Sequence, residues 1–229
     1  MIYIKKGQSP KKLSDYKKSP HAVYSPPSNV KEVWCNTLLK EQGYLCAYTM
    51  ERIEAGLIAD SNKPKVKLEH LKPQNGNKHN DLAHKNVVAV CNGNEGEPPK
   101  NQYADTRKGE NLLDRRLHPT NTDIEKIICY RPNGEIFTGV YDLDIQLDDE
   151  KKQGLSVLNL NFKTLRDARK GAYEAVKIRL NKKNWSLSAI NDEIKRFESL
   201  HDNRRLAFCG FVLYRLRKDK HQRLKKDKQ

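Results

Sequence analysis

The chain of 229 residues and 26.5 kDa has room for one large domain, or for a core domain with an extension. Lys and Arg outnumber Asp and Glu by 44 to 29, and the formal net charge of +15 favours a polyanionic partner such as nucleic acid. The sequence has no apolar run of transmembrane length and no signal-peptide segment at its start, and its five cysteines are scattered. These features predict a cytoplasmic protein with no membrane contact and no disulfide framework.

The first half of the chain combines a basic arm with short helical and β-type segments. Residues 1–28, rich in Lys, Ser and Pro, are predicted to form an extended arm that orders only on binding. A helix is predicted from Asn29 to the stop at Gly43. The alternation in KVKLEHLKP predicts a strand, and NVVAVC begins an amphipathic strand or helix. Residues 54–64 and 92–110 are predicted loops.

The second half of the chain changes from a hairpin to helices. The segment DIEKIICYRPNGEIFTG contains two β-rich runs joined by Pro-Asn-Gly, which predicts a hairpin. Amphipathic helical patterns follow from residue 155, and the last dozen residues are mostly basic. We therefore predict an α+β protein with an arm at 1–28, a core at 29–120, a β-hairpin and linker at 121–150, and a helical region with a basic tail at 151–229.

Four residues in the core segment suit the hydrolysis of a phosphodiester bond. That reaction needs a base that deprotonates water and a divalent cation with its ligands. Magnesium prefers carboxylate and amide oxygens and keeps several waters. Glu69, His70, Asn86 and Asp105 supply a base next to an oxygen donor, an amide that can fix a loop, and a second carboxylate. If they converge, they predict a Mg²⁺-dependent site.

The segments CAYT, LEHLKPQ, NVVAVCNGN and ADTRKG resemble, in order and approximate spacing, those of the HNH endonucleases, and five overlapping segments extend the similarity. The similarity is closer to the PtuB-like branch, the HNH component of Septu-type anti-phage defence systems, some of which are encoded with retrons. The resemblance covers residues 1 to about 180, and a weaker similarity is present at LAFCGFVLYRL. It implies a ββα-metal core, in which a β-hairpin and a helix surround one metal ion. The five segments are CAYTMERI, EHLKPQ, VCNGNEG, DTRKG and PTNTDIEKIICYRPNGEIF.

The resemblance assigns a role to each of the four residues. His70 matches the first histidine of the motif, which implies the general base, and Glu69 before it matches a metal ligand. Asn86 matches the middle asparagine, which orders the loop that carries the base. Asp105 falls at the last metal-binding position, for which Asn94 is an alternative.

Further residues are assigned less specifically. Lys72 and Lys108 are expected to bind substrate, although Lys108 could instead face solvent. The alternative to a catalytic role is a structural one for each residue. Glu69 and His70 would then be an ordinary surface pair on a strand, and Asn86 and Asp105 would each cap a helix. His79, His84 and His118 are expected to lie at the surface or to face substrate, and not to be catalytic.

A structural zinc held by four cysteines occurs in many relatives. This chain keeps Cys46 and Cys91 but has Thr49 and Ala104 where the other two ligands would lie. Threonine and alanine cannot replace thiolates at such a site. We therefore expect no structural zinc, with Cys46 and Cys91 acting as small buried hydrophobic residues at former zinc-type positions.

The function expected from the resemblance is that of an HNH endonuclease acting with an ATPase. The implied partners are a PtuA-like ATPase, a DNA or RNA substrate, and in some systems a retron reverse transcriptase with its nucleic acid. Either the basic arm or the helical region could dock the ATPase or contact nucleic acid. The alternative is a catalytically silent adaptor or nucleic-acid-binding subunit with the same fold. A sequence-specific DNA-binding factor is less well supported, because no helix-turn-helix or zinc-finger pattern is present.

Overall fold

A computed structural model describes residues 1–56, 65–72, 78–148 and 156–226. Most of the predicted loop 54–64 and part of the predicted linker lie outside these residues. The fold is mixed α+β, which confirms the predicted class at that level. The described helices are α1 (Lys11–Lys18), α2 (Ser28–Glu41), α3 (Lys78–Asp81), α4 (Ala104–Lys108), α5 (Ile124–Ile127), α6 (Tyr141–Leu147), α7 (Lys163–Asn181), α8 (Leu187–Glu198) and α9 (Cys209–Lys226).

A two-stranded antiparallel sheet lies in the first half of the chain. Strand β1 (Val66–His70) pairs with β2 (Val87–Cys91), and Glu69 lies opposite Val88. Every residue of β2 is buried, since helices α2 and α4 both contact this strand. The segment NVVAVC is therefore a strand, one of the two predicted possibilities, and the continuous apolar run reflects burial on both faces.

The predicted hairpin at Pro-Asn-Gly is confirmed, but its first β-rich run is shorter than predicted, because Ile124–Ile127 form helix α5. Strand β3 (Cys129–Tyr130) pairs antiparallel with β4 (Ile136–Phe137). Gly134 in the turn has φ of +86°, and a Cβ atom there would lie 2.3 Å from the carbonyl oxygen of Arg166 in α7. The buried guanidinium of Arg169 donates to the carbonyl of Gly134 at 2.6 Å. The turn therefore needs glycine, and it joins the hairpin to the helical region.

The N-terminal segment departs from the prediction of an extended arm. Residues Lys11–Lys18 form helix α1, whose Leu13 is fully buried. The backbone N–H of Ile4 donates to the carbonyl of Pro119 at 2.8 Å. Met1, Ile2 and Ile4 belong to the hydrophobic core. The prediction is wrong because a few well-placed apolar side chains, although rare in a Lys-rich segment, bury enough surface to hold it.

The C-terminal helices pack on one another and on the first half of the chain. Helix α9 contacts α7, α8 and β3. Just before it, the N–H of Phe208 donates to the carbonyl of Met50, and that of Arg205 donates to the carbonyl of Gly43, both at 3.0 Å. The helical region is thus attached directly to the β1–β2 part of the molecule. Within the described residues, no helix has the length and apolar character needed to cross a membrane.

Candidate active site

The carboxyl groups of Glu69 and Asp105 lie together, although the two residues are far apart in the sequence. Glu69 is on β1 and Asp105 is in the first turn of α4, and their carboxyl groups are hydrogen-bonding neighbours. Helix α4, which lies within the predicted loop 92–110, is held in place by backbone contacts at its start. The N–H of Tyr103 donates to the carbonyl of Gly93 at 3.1 Å, and that of Ala104 to the carbonyl of Leu158 at 2.8 Å.

Two lysine ammonium groups contact this carboxyl pair. The Lys108 ammonium lies 2.9 Å from Oε1 of Glu69, and the Lys67 ammonium lies 2.7 Å from Oδ2 of Asp105. Tyr48 donates its hydroxyl hydrogen to the same Glu69 oxygen at 3.3 Å. The Lys108 side chain is 2% exposed, so the option that it faces solvent is wrong. It is buried because a carboxylate partner lies within reach.

The two carboxyl groups divide one negative charge unequally. Burial, and then the hydrogen bond and charge of Asp105, raise the pKa of Glu69 to about 8. The ion pair with Lys108 opposes this rise without cancelling it. Burial also acts to raise the pKa of Asp105, but hydrogen bonds from Glu69 and Lys67 outweigh burial and lower it. At neutral pH the pair therefore holds one proton, mainly on Glu69.

His70 occupies the end of β1, next to Glu69. Successive side chains of a strand point to opposite faces, and the His70 ring packs edge-on against Tyr24 with centroids 4.6 Å apart. Its Nε2 lies 2.8 Å from the carbonyl oxygen of Asp81. A carbonyl only accepts, so Nε2 carries the hydrogen and Nδ1 carries the lone pair.

Electrostatics keep the His70 ring neutral. Burial lowers the pKa of His70, and the charges of both Asp105 and Lys108 reach it. The side chain therefore lies in the electrostatic neighbourhood of the carboxyl pair, even though it has partners of its own. A neutral imidazole at physiological pH can accept a proton from water.

Asn86 holds the backbone that follows His70. Its Oδ1 accepts from the N–H of Lys72 at 2.9 Å, and its Nδ2 donates to the carbonyl of the same residue at 3.1 Å. Its own carbonyl accepts from the N–H of Leu71 at 2.9 Å. Asn86 lies at the end of a 3₁₀ helix, His84–Asn86, so the alternative that it caps a helix N-terminus is wrong. The amide acts on the loop and is not part of the carboxyl pair.

The structure also separates the two candidates for the last metal ligand. Asp105 lies beside Glu69, whereas the side-chain amide of Asn94 donates to the carbonyl of Asn101 at 2.9 Å. Tyr103, and not Asp105, occupies the N-cap position of α4. Asp105 is therefore the better candidate, and the helix-cap alternative for it is wrong.

Lys67 and Tyr48 contact the carboxyl pair, and neither residue was predicted from the sequence to belong to the site. Lys67 lies two positions before Glu69 on β1, so the period-two alternation of a strand places both on one face. This signal was present in KVKLEH. Nothing in the sequence indicates Tyr48, because its contact with Glu69 depends on how the turn after α2 packs on β1.

The surface expectation for His84 and His118 is wrong. His84 is 4% exposed, accepts from Trp34 Nε1 at 3.0 Å and lies 2.7 Å from the Glu41 carboxylate. The same carboxylate pairs with Lys6 at 2.7 Å. His118 is buried against the carbonyl of Leu113. Burial is tolerated because hydrogen-bond partners satisfy both ring nitrogens of His84 and Nε2 of His118. The side chain of His79 lies outside the part of the chain that the structure describes.

The chemistry of the carboxyl pair fits a hard divalent cation. Two carboxylates that repel each other in a buried position are stabilised by a cation, and Mg²⁺ needs only one or two protein carboxylates when it keeps its waters. Glu69 and Asp105 would be its ligands, with the two lysine ammonium groups moved aside. Within the described residues, no group of three or more His, Cys, Asp and Glu side chains is arranged to hold a metal ion.

No protein-family model matches the chain, and no curated protein matches it significantly.

Proposed function

We propose that the protein is a divalent-metal-dependent nuclease with an HNH-type site that hydrolyses phosphodiester bonds. The observation that carries this proposal is the pairing of the Glu69 and Asp105 carboxyl groups, together with a His70 ring that the charge of Asp105 reaches. Paired oxygen ligands next to a neutral imidazole are the groups that metal-assisted hydrolysis of a phosphodiester requires. The net charge of +15 suits a nucleic-acid substrate.

In this mechanism each residue has one task. A divalent cation held by Glu69 and Asp105 would stabilise the charge that develops on the phosphate and on the leaving oxygen. His70 accepts a proton from the attacking water at Nδ1, while its Nε2–H bond to the carbonyl of Asp81 fixes the ring. Asn86 fixes the backbone of Lys72, whose exposed side chain is suited to contact a phosphate.

The biological setting that we propose rests on the sequence resemblance to the PtuB-like branch. In that setting the nuclease is the effector of a two-component anti-phage defence system with a PtuA-like ATPase, and in some systems with retron components. The +15 net charge is compatible with DNA and RNA alike.

The test compares nucleic-acid cleavage by wild type with that of two histidine variants, with Mg²⁺ and with the partner ATPase present. His70→Ala should lower the cleavage rate about a hundredfold or more, because a positioned base is lost. His21→Ala, at an exposed position, is the matched control and should leave the rate unchanged. Equal rates in wild type and His70→Ala would reject the role of His70.

The second candidate function is a catalytically silent subunit that binds nucleic acid or acts as an adaptor. One observation favours it: lysine ammonium groups already occupy positions next to both carboxyl groups, where a cation would bind. A silent subunit would bind nucleic acid equally well with and without divalent cations and would show no cleavage under any condition. A nuclease would show cleavage that chelation abolishes.

A further inference from the structure

Two buried thiols, those of Cys46 and Cys91, lie next to each other. The Sγ atoms of Cys46 and Cys91 are 3.5 Å apart, although the residues are 45 positions apart in the sequence. Cys46 lies in the turn after α2, and Cys91 is the last residue of β2. Both residues are free cysteines in the structure, with exposures of 1% and 9%.

The surrounding groups polarise the thiol pair. The backbone N–H of Cys91 donates to the Cys46 sulfur at 3.3 Å, and the Thr49 hydroxyl lies 3.9 Å from the Cys91 sulfur. Burial acts to raise the pKa of Cys46, but hydrogen bonds from Cys91 and Thr49 outweigh it and lower that pKa. The hydrogen bond with Cys46, followed by burial, raises the pKa of Cys91. Cys46 is therefore the more acidic thiol of the pair, and Cys91 the less acidic one.

A small molecule can reach this pair. Cys91 lines a cavity of about 420 Å³ together with Glu51, Asn92 and Tyr103. The Oε2 atom of Glu51 is buried and has no hydrogen-bond partner among the described residues. Such an atom accepts a hydrogen bond from a small polar donor, and hydrogen peroxide is a donor of suitable size. Cys46 does not line the cavity, so a reagent reaches Cys91 first.

We propose that Cys46 and Cys91 form a dithiol that hydrogen peroxide converts into an intramolecular disulfide. The more acidic Cys46 thiol loses its proton to solvent and then takes the Cys91 proton across the 3.5 Å contact, which leaves Cys91 as the thiolate. The Cys91 thiolate attacks peroxide, the O–O bond breaks, and the released hydroxide combines with the solvent proton as water, giving a sulfenic acid on Cys91. The sulfur of Cys46 then displaces hydroxide from Cys91, and the Cys46 proton completes a second water. The two sulfurs lose two electrons, and peroxide gains them.

The disulfide would join the turn after α2 to the end of β2. Closing a long loop restricts the unfolded chain and stabilises the fold, provided that the bridge forms without strain. The bridge lies at the strand that supports α4, which carries Asp105. We therefore expect the oxidised protein to melt about 5 °C or more above the reduced protein. This proposal does not depend on nuclease activity.

The experiment uses the full chain, purified with a reductant and treated with a small excess of hydrogen peroxide. The intact mass of the denatured protein should fall by about 2 Da, and a non-reduced peptide map should show the Cys46–Cys91 link. Cys91→Ser and Cys46→Ser should each abolish the link. The matched control Cys35→Ser, a half-buried cysteine on α2, should keep both the mass loss and the rise in melting temperature.

Three results would overturn the proposal. The first is that both thiols of peroxide-treated wild type react with a maleimide after unfolding, without prior reduction. The second is a gain of about 32 or 48 Da on either cysteine with no cross-link, which is overoxidation. The third is one tightly held zinc ion per chain that blocks oxidation of both thiols, which would make the pair a metal site.

Discussion

The Lys108 ammonium lies 2.9 Å from Oε1 of Glu69, and both side chains are more than 90% buried. The Lys108 ammonium group therefore occupies the place next to Glu69 where a metal ion would bind, because we propose Glu69 as a metal ligand. A metal ion and this ammonium group compete for the same negative charge.

Removing the competing charge should strengthen metal binding. We expect Lys108→Met to bind Mg²⁺ about tenfold more tightly than wild type, which corresponds to roughly 1.4 kcal/mol of removed charge repulsion. Calorimetry without nucleic acid at about pH 8.5, where the proton on Glu69 competes least, is the measurement. Lys100→Met, at an exposed position close to α4, should bind Mg²⁺ like wild type. Weaker binding by Lys108→Met would show that the ammonium group is not a competitor.

Metal binding should release a proton at neutral pH. Burial and the neighbouring Asp105 raise the pKa of Glu69 to about 8, so this carboxyl is largely protonated at pH 7 and must lose its proton to bind a cation. We expect release of about one proton per metal at pH 7, and weaker binding as the pH falls from about 8 to 6. Calorimetry in buffers of different ionisation enthalpy measures this number. Glu69→Gln should release none, and an equal release from that variant would contradict the assignment.

Loss of the Asn86 amide should free the backbone after β1. Its two hydrogen bonds to Lys72, at 2.9 and 3.1 Å, have no substitute in Asn86→Ala. We expect the free energy of unfolding in urea to fall by about 1–3 kcal/mol and the cleavage rate to fall with it. Asn80→Ala, at an exposed position in α3, is the matched control. If Asn86→Ala is as stable as Asn80→Ala, the assignment of Asn86 as a residue that positions the backbone after β1 is rejected.

The partly buried Glu41 carboxylate should be needed for stability. It pairs with Lys6 and His84, each at 2.7 Å, so Glu41→Gln leaves a buried ammonium group without its counter-charge. We expect a loss of about 3 kcal/mol at pH 7, measured by urea unfolding. Glu32→Gln, on the exposed face of the same helix, should change stability little.

The Glu41 carboxylate should also make the stability of the protein depend on pH. Burial acts to raise the pKa of Glu41, but hydrogen bonds from His84 and Lys6 outweigh it and lower that pKa below its ordinary value of 4.5. The carboxylate thus stabilises the protein above pH 4.5, and this contribution is lost as the pH falls through the lowered pKa. The difference in stability between wild type and Glu41→Gln should therefore shrink below that pH. A constant difference would contradict the linkage.

The sequence by itself determined the elements that have a strong local signal. The alternation in KVKLEH gave strand β1, Pro-Asn-Gly gave the hairpin that Gly134 closes, and amphipathic periodicity gave the helices after residue 155. Each signal lies within a few residues, since side-chain direction in a strand or helix repeats over two or about four positions. The prediction of an extended arm at residues 1–28 was wrong, because the few apolar residues in this basic segment show no local pattern that would indicate their burial.

Only the tertiary structure decided which polar groups meet. The sequence marked Glu69 and Asp105 as oxygen donors, but their contact, and the pairing with Lys67 and Lys108, depend on how α4 packs against β2. The 3.5 Å separation of the Cys46 and Cys91 sulfurs is likewise set by the packing of the turn after α2 on the end of β2. Such contacts join residues dozens of positions apart, and the burial that fixes them is a property of the packed chain as a whole.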